Sequence, residues 1–251
     1  MSIYKDILFY LSVPRCVCCQ KRLDKDERAL CHSCFLEYLE TKRLSQCSHC
    51  LKNFSECLCP NDYLEKHYVH KLIKLFRYKP SESPDERIPA NQLIYIAKRN
   101  KRVDLFDFLS DELCHLIKAS IDYDGCVITS VPREKKRVNK YGFDHSECLA
   151  KAIAKKLGLR YEKILKSKSK MAQKKTHGEE RIRNALFDYR KRIPDIKGKR
   201  VLLVDDIVTT GASLGNSATL IKGLGVKSIV GVCIGVTYKD KHIPFQKHGA
   251  V

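Results

Sequence analysis

Val201-Leu202-Leu203-Val204-Asp205-Asp206-Ile207-Val208-Thr209-Thr210-Gly211-Ala212-Ser213 places two adjacent acids where an apolar run ends and follows them with a turn of small residues. The apolar run, Arg200 to Val204, has the composition of a buried strand. Ser213 to Leu224 carries a helical pattern that Gly225 stops. In a strand, turn and helix of this order, Thr209, Thr210, Gly211 and Ser213 can offer hydroxyls and a run of backbone N–H groups to a phosphate. The helix dipole favours an anion at the same point. Asp205 and Asp206 can accept hydrogen bonds from ribose hydroxyls or help hold the shell of a magnesium ion.

The same alternation extends in both directions. Ser228 to Val236 is a second apolar strand, and Gly125 to Val131 is a β-branched apolar run. Asp144 to Leu157 carries Leu149, Ala150, Ile153, Ala154 and Leu157 on one helical stripe; Asp144 with Glu147 has the form of a capping box, and Gly158 ends the helix. Short apolar strands separated by helices predict an α/β fold, a parallel sheet flanked by helices on both faces, with ligands at the carboxyl ends of its strands. From Tyr63 to Leu116 the pattern reads as helices interrupted by a proline-containing loop, Lys79 to Pro89. No GxxxxGK[ST] phosphate loop occurs.

Between the strand ending at Val131 and the helix that follows lies a basic loop. Arg133, Lys135, Lys136, Arg137 and Lys140 sit there at a carboxyl strand end, where cations can meet a pyrophosphate or remain a solvated face. Lys166 to Lys175 is a second lysine-rich stretch, readable equally as a flap over the ligand or as a linker. The formal charge is +19 over 251 residues. That is more than a neutral substrate requires, and it points to a polyanion such as nucleic acid or to a phosphorylated ligand.

Of the 13 cysteines, nine fall between Cys16 and Cys59. They form the knuckles Cys16-x-x-Cys19, Cys31-x-x-Cys34, Cys47-x-x-Cys50 and Cys57-x-Cys59, with Cys18 spare. Two knuckles make one tetrahedral zinc site. Pairing in sequence order is the first choice, a crossed arrangement is open, and the tighter fourth knuckle leaves room for His49. A closed four-sulfur site has no free coordination position, so these zincs are expected to be structural, about two ions per chain. Eight thiolates on two zincs would lower the net charge to about +15. Cys114, Cys126, Cys148 and Cys233 read as core thiols. The composition changes near Pro60, which predicts a cysteine-rich module over 1–60 and an α/β domain over 61–251.

No segment reaches the ~20 apolar residues of a membrane span. Ile3, Ile7, Leu8 and Leu11 recur at helical spacing, but Lys5 and Asp6 interrupt them and no small-residue cleavage site follows, so no secretory signal is expected. A soluble, cytoplasmic protein with reduced thiols is the expectation.

The thirteen residues from Val201 to Ser213 resemble, position by position, the signature of type I phosphoribosyltransferases. That resemblance implies the type I fold and a ligand, 5-phosphoribosyl 1-pyrophosphate (PRPP), bound with magnesium. It implies that Thr209, Thr210, Gly211, Ala212 and Ser213 cradle the 5-phosphate and that the catalytic acids Asp205 and Asp206 face the 2- and 3-hydroxyls. It also gives Arg133, Lys135, Lys136 and Arg137 the pyrophosphate. The resemblance narrows to the ComF family through Val131-Pro132, Arg137 and Gly142-Phe143, through Gln173, Arg181, Asn184 and Phe187, and through Leu72 to Tyr78; Tyr141, Asp144 and His145 depart from that family's pattern. ComF proteins are implicated in natural competence, in carrying single-stranded DNA beside a helicase-like partner. The alternatives are a phosphoribosyltransferase of nucleobase salvage and a PRPP-sensing regulator that binds nucleic acid.

Overall fold

The computed structural model describes residues 14–43, 46–47, 49–78, 88–168 and 187–237. Its helices are α1 His32–Arg43, α2 Asp62–Lys66, α3 Pro89–Ala97, α4 Val103–Ser120, α5 Lys135–Tyr141, α6 His145–Leu157 and α7 Ala212–Lys222. Its strands are β1 Val69–Arg77, β2 Val127–Ser130, β3 Arg160–Tyr161, β4 Leu165–Ser167, β5 Phe187–Tyr189, β6 Arg200–Val208 and β7 Ser228–Val236. Five strands form one sheet in the order β1-β7-β6-β2-β3, with every neighbouring pair parallel. β4 and β5 make a separate antiparallel pair.

Successive side chains of β6 serve opposite faces, as the two-residue period of a strand requires. Leu202 and Val204 enter a core with Leu93 of α3, Leu109 and Leu113 of α4 and Leu149 and Ile153 of α6. Val201 and Leu203 enter the other core, with Leu214, Ala218 and Ile221 of α7. Burial on both faces explains why the central strands are continuously apolar. The α/β sheet flanked by helices is therefore as expected. α6 is fixed at both ends: the Asp144 carboxylate accepts from the backbone N–H groups of Ser146 and Glu147, and Gly158 closes the helix at φ +67°.

Several local readings are corrected. Val69–Arg77, expected within a helical stretch, is the edge strand β1, paired in parallel with β7. His70, Lys71 and Lys74 broke the apolar pattern there, and Lys74 is nonetheless buried. β6 does not stop before the acids but runs through them to Val208. The basic loop contains a seven-residue helix, α5, with no buried side chain and hence no apolar stripe. α7 ends at Lys222, with Gly223 as its cap. Glu147 completes only half of the capping box, because its carboxylate turns to Lys151 and Lys163.

The cysteine-rich segment flanks β1 on both faces of the sheet. Cys16, Cys31, Cys34 and Tyr38 lie in the core of α3 and α4, whereas Cys47, Phe54 and Cys57 lie in the core of α7. Tyr38 packs edge-on against Phe76 and Phe108, with ring centroids 5.9 and 5.6 Å away, and its hydroxyl donates to Glu112 at 2.8 Å. Cys114, Cys126 and Cys233 are buried and Cys148 is half-buried, as core thiols should be. The lysine-rich stretch beyond Lys168, and Gln173, Arg181 and Asn184, lie outside the described residues.

Candidate functional site

β2 and β6 mark the point where the strand order reverses. From β2 the chain moves outward to β3, and from β6 it moves the opposite way to β7. Crevices at such switch points are where open parallel sheets bind ligands. β2 stops at Ser130, opposite Val204, while β6 continues for four residues paired only with β7. Asp205 and Asp206 occupy this overhang.

The two carboxylates have different surroundings. Asp205 is 9% exposed and accepts from the Ser146 hydroxyl at 3.2 Å and from the Asp206 N–H at 2.9 Å. Burial, reinforced by the neighbouring Asp206 charge, pushes its carboxyl well above the usual range. Asp206 Oδ2 meets His145 Nε2 at 2.7 Å and Lys98 Nζ at 3.1 Å, and its Oδ1 accepts from the Ile207 N–H at 2.6 Å. Burial would raise this carboxyl too, but the His145 hydrogen bond and the His145 and Lys98 charges outweigh it and hold Asp206 below the usual range. One acid is thus disposed to be neutral and the other ionised.

Beyond Val208 the chain turns through Thr209, Thr210 and Gly211 into α7. Gly211 is the N-cap residue with φ +84°, and Thr209, Thr210 and Ser213 are exposed around a concavity of about 40 Å³. α2 supports this turn from behind. Asn61 caps α2 by accepting from the Leu64 N–H at 2.9 Å and donates from Nδ2 to the Thr210 carbonyl at 3.2 Å. A Cβ on Gly211 would stand 2.9 Å from Leu64 Cγ, so glycine is required by space as well as by φ. One turn on, Gly215 admits the Tyr63 ring, whose hydroxyl donates to Asn216 Oδ1 at 3.0 Å.

Arg133 flanks the acids from the β2 side. Its backbone N–H donates to Asp144 Oδ2 at 2.9 Å and its Nη2 to the Lys98 carbonyl at 3.0 Å, while its Nε and Nη1 are buried without a partner among the described residues. Burial lowers its pKa against the opposing pull of Asp206 and Asp144. Unpartnered buried guanidinium N–H groups are costly and mark a place for an acceptor. Lys135, Lys136 and Arg137 project from the exposed first turn of α5. Alongside runs a groove of about 1030 Å³ whose lining includes Lys101, Lys135, Lys151, Lys155, Lys163 and Lys166.

The eight knuckle cysteines form two groups, Cys16, Cys19, Cys31 and Cys34, and Cys47, Cys50, Cys57 and Cys59. This is the sequence-order pairing. Within each group the sulfurs lie within 4.8 Å of one another. Sulfurs bound at ~2.3 Å to one zinc would stand ~3.8 Å apart, so each set needs only a small contraction to close on an ion. His32 and His49 are exposed, and neither belongs to a cluster.

Thus Asp205 and the Thr209–Ser213 turn line one concavity, while Arg133, which feels the charge of Asp206, lines the larger groove together with Lys135, and Lys136 and Arg137 are exposed on α5. Sequence reading missed Lys98 and Asn61, single polar residues brought in from remote segments. His145 was noted only as a departure from a pattern; its place directly before the α6 stripe was the available signal.

Residues 144–247 match a family model described as a phosphoribosyl transferase domain. The DNA utilization protein YhgH of Escherichia coli K12 is 24% identical over 219 residues, covering 85% of this chain and 86% of that protein. The ribose-phosphate pyrophosphokinase of Thermococcus kodakarensis is 34% identical over 80 residues, 32% of this chain and 24% of that one. Among solved structures, the adenine phosphoribosyltransferase of Thermoanaerobacter pseudethanolicus is 17% identical, covers 55% of this chain and 83% of its own, and has a TM-score of 0.37. Among the described residues no helix is long and apolar enough to cross a membrane. The family resemblance read from the motifs is borne out by the phosphoribosyl transferase domain, the DNA utilization relatives and the paired cysteine clusters.

Proposed function

We propose that this ComF-type chain binds PRPP with magnesium in the crevice between β2 and β6 and acts on single-stranded DNA in natural competence. The reading is supported by three complementary groups that lie at the carboxyl ends of β2 and β6: an N-terminal helix turn with exposed donors, two adjacent acids, and an arginine with two buried unpartnered nitrogens. A sugar bearing a phosphate at one end and a pyrophosphate at the other satisfies all three. On this reading Thr209, Thr210, Gly211, Ala212 and Ser213 take the 5-phosphate through hydroxyls and N–H groups. Asp205 and Asp206 accept from the ribose 2- and 3-hydroxyls, with Lys98 yielding its place on Asp206. Arg133 donates to the pyrophosphate, and Lys135, Lys136 and Arg137 supply screening charge around it. Magnesium, when bound, neutralises pyrophosphate oxygens.

The DNA reading rests on the relatives' designation as DNA utilization proteins and on the charge of +19. The basic groove beside α5 and α6 is its surface: the lysines displace cations condensed on the nucleic-acid phosphates, with little reading of sequence. A helicase-like partner and a cytoplasmic site of action belong to the same proposal. Two zinc ions, one in each cysteine cluster, would be structural.

The ligand is tested by thermal denaturation. Magnesium with PRPP is expected to raise Tm, because a ligand that binds only the folded state stabilises it. In a folded Asp205→Asn/Asp206→Asn variant the shift should vanish; a shift of unchanged size would move the ligand elsewhere.

A further inference from the structure

Lys74, on the edge strand β1, is fully buried. Its Nζ donates to the Cys57 carbonyl at 2.6 Å, to Cys57 Sγ at 3.3 Å, and to the Cys59 and Leu72 carbonyls at 3.3 Å each. The ammonium also lies 5.0 Å above the Phe54 ring. No carboxylate among the described residues forms an ion pair with it. A buried ammonium costs several kcal/mol unless an anion compensates it, and carbonyl dipoles alone do not supply one.

The candidates for that anion are few. Cys233, the register partner of Lys74 on β7, is a thiol that burial pushes far above its usual range, so it stays neutral. Asp205, the register partner of Cys233 on β6, makes no ion pair with Lys74, and the group that Lys74 does touch and that can become anionic is the second cysteine cluster, through Cys57. Four thiols that close on a divalent ion release their four protons to solvent and leave a centre with two net negative charges. Such a centre needs a cation in a buried setting as much as the lysine needs an anion. The first cluster is built differently: its Cys31 sulfur meets a neighbouring thiol and the Ser33 hydroxyl.

Building on the zinc reading, we propose that Lys74 is the positioning cation of the second metal site, fixing Cys57 Sγ by an N–H···S hydrogen bond and so making that site the slower of the two to lose its ion. The bond draws charge from the sulfur and fixes its direction, so that the ligand is harder to displace from the ion. Groups that back a metal's ligands in this way are commonly worth about 10- to 100-fold in metal affinity.

The test uses the full chain, with metal release to a chromophoric chelator followed in time. Wild type should release its zinc in two phases, and Lys74→Met should speed the slower phase by about tenfold or more while sparing the other. Lys74→Arg, which keeps a cation, should restore most of the difference. With cobalt in place of zinc, Lys74→Met should shift the thiolate-to-cobalt absorption of one site only. Identical release and spectra in Lys74→Met and wild type would overturn the assignment. Protein with no bound metal would instead remove the zinc reading beneath it. Should Lys74→Met fail to fold, the Cys57→Ser background decides. Adding Lys74→Met there should stabilise the chain, since the ammonium has lost its anion; no gain would count against the proposal.

Discussion

His145 Nε2 lies 2.7 Å from Asp206 Oδ2, both side chains being largely buried, and Lys98 Nζ reaches the same oxygen at 3.1 Å. The two contacts differ in weight because the Lys98 side chain is 33% exposed and His145 is 8% exposed. Removing a partner from a buried pair leaves an uncompensated charge and costs about 3 kcal/mol. A solvated partner is worth about 1 kcal/mol or less. His145→Ala should therefore destabilise the fold about threefold more than Lys98→Ala in urea titrations. Equal losses would show that solvent already reaches Asp206.

Gly211 faces two obstacles to substitution, a φ of +84° and the Leu64 side chain 2.9 Å from where a Cβ would sit. Gly211→Ala should cost about 1–2 kcal/mol from the left-handed backbone alone, and it should abolish the Tm rise produced by magnesium with PRPP. Adding Leu64→Ala relieves the contact but not the φ, so the ligand response should return only in part. Full ligand response in Gly211→Ala would show that the turn does not contact the phosphate.

Glu147 pairs with Lys151 within α6 and with Lys163 in the segment after it. Burial would raise its carboxyl, but the two lysines outweigh it and hold it below the ordinary 4.5. A carboxyl depressed in the folded state contributes stability that is present above its unfolded pKa and is lost as pH falls through the folded one. Wild type should therefore exceed Glu147→Gln in unfolding free energy at pH 6 to 7. The gap should narrow progressively below about pH 4.5. A gap that does not change over that interval would assign the difference to packing.

Metal content follows from the two clusters. Elemental analysis of protein purified under reducing conditions should give about two zinc ions per chain. Cys31→Ser and Cys57→Ser should each lower the count by about one. Chelation should lower Tm sharply, because the first cluster shares a core with Phe76 and Leu109. Zinc-free protein of undiminished Tm would exclude a structural role.

Single-stranded DNA should bind with an affinity that falls steeply with salt. Each neutralised phosphate contributes about 0.7 to the slope of log affinity against log salt. Lys101, Lys155 and Lys166 line the basic groove. Replacing all three by alanine should reduce that slope by about 2. Affinity indifferent to salt would take the groove out of DNA contact.

What the sequence disclosed and what it hid divide along physical lines. β6, β7 and α6 were legible because burial on a whole face or stripe leaves a periodic apolar signature. β1 was not, because Lys74 answers to the second cysteine cluster, a polar need that no apolar pattern records. α5 was hidden because it buries nothing. Asp205, Asp206 and the Thr209–Ser213 turn were found because they are contiguous. Asn61 and Lys98 were missed because Asn61 meets its turn across 149 residues and Lys98 meets its acid only through the folding of α3 against the sheet.

The hollows at Gly211 and Gly215 are filled by Leu64 and Tyr63, side chains from a segment that begins just after the last knuckle cysteine. The two stretches therefore fit as a mould and its cast. Side-chain bulk withheld from 211 and 215 is bulk displayed at 63 and 64, so neither stretch can change size unless the other changes with it. A turn between a strand and a helix need not be shaped by its own residues alone. Here its shape is written partly in α2, and a graft of Val201 to Ser213 alone onto another sheet would arrive without its backing.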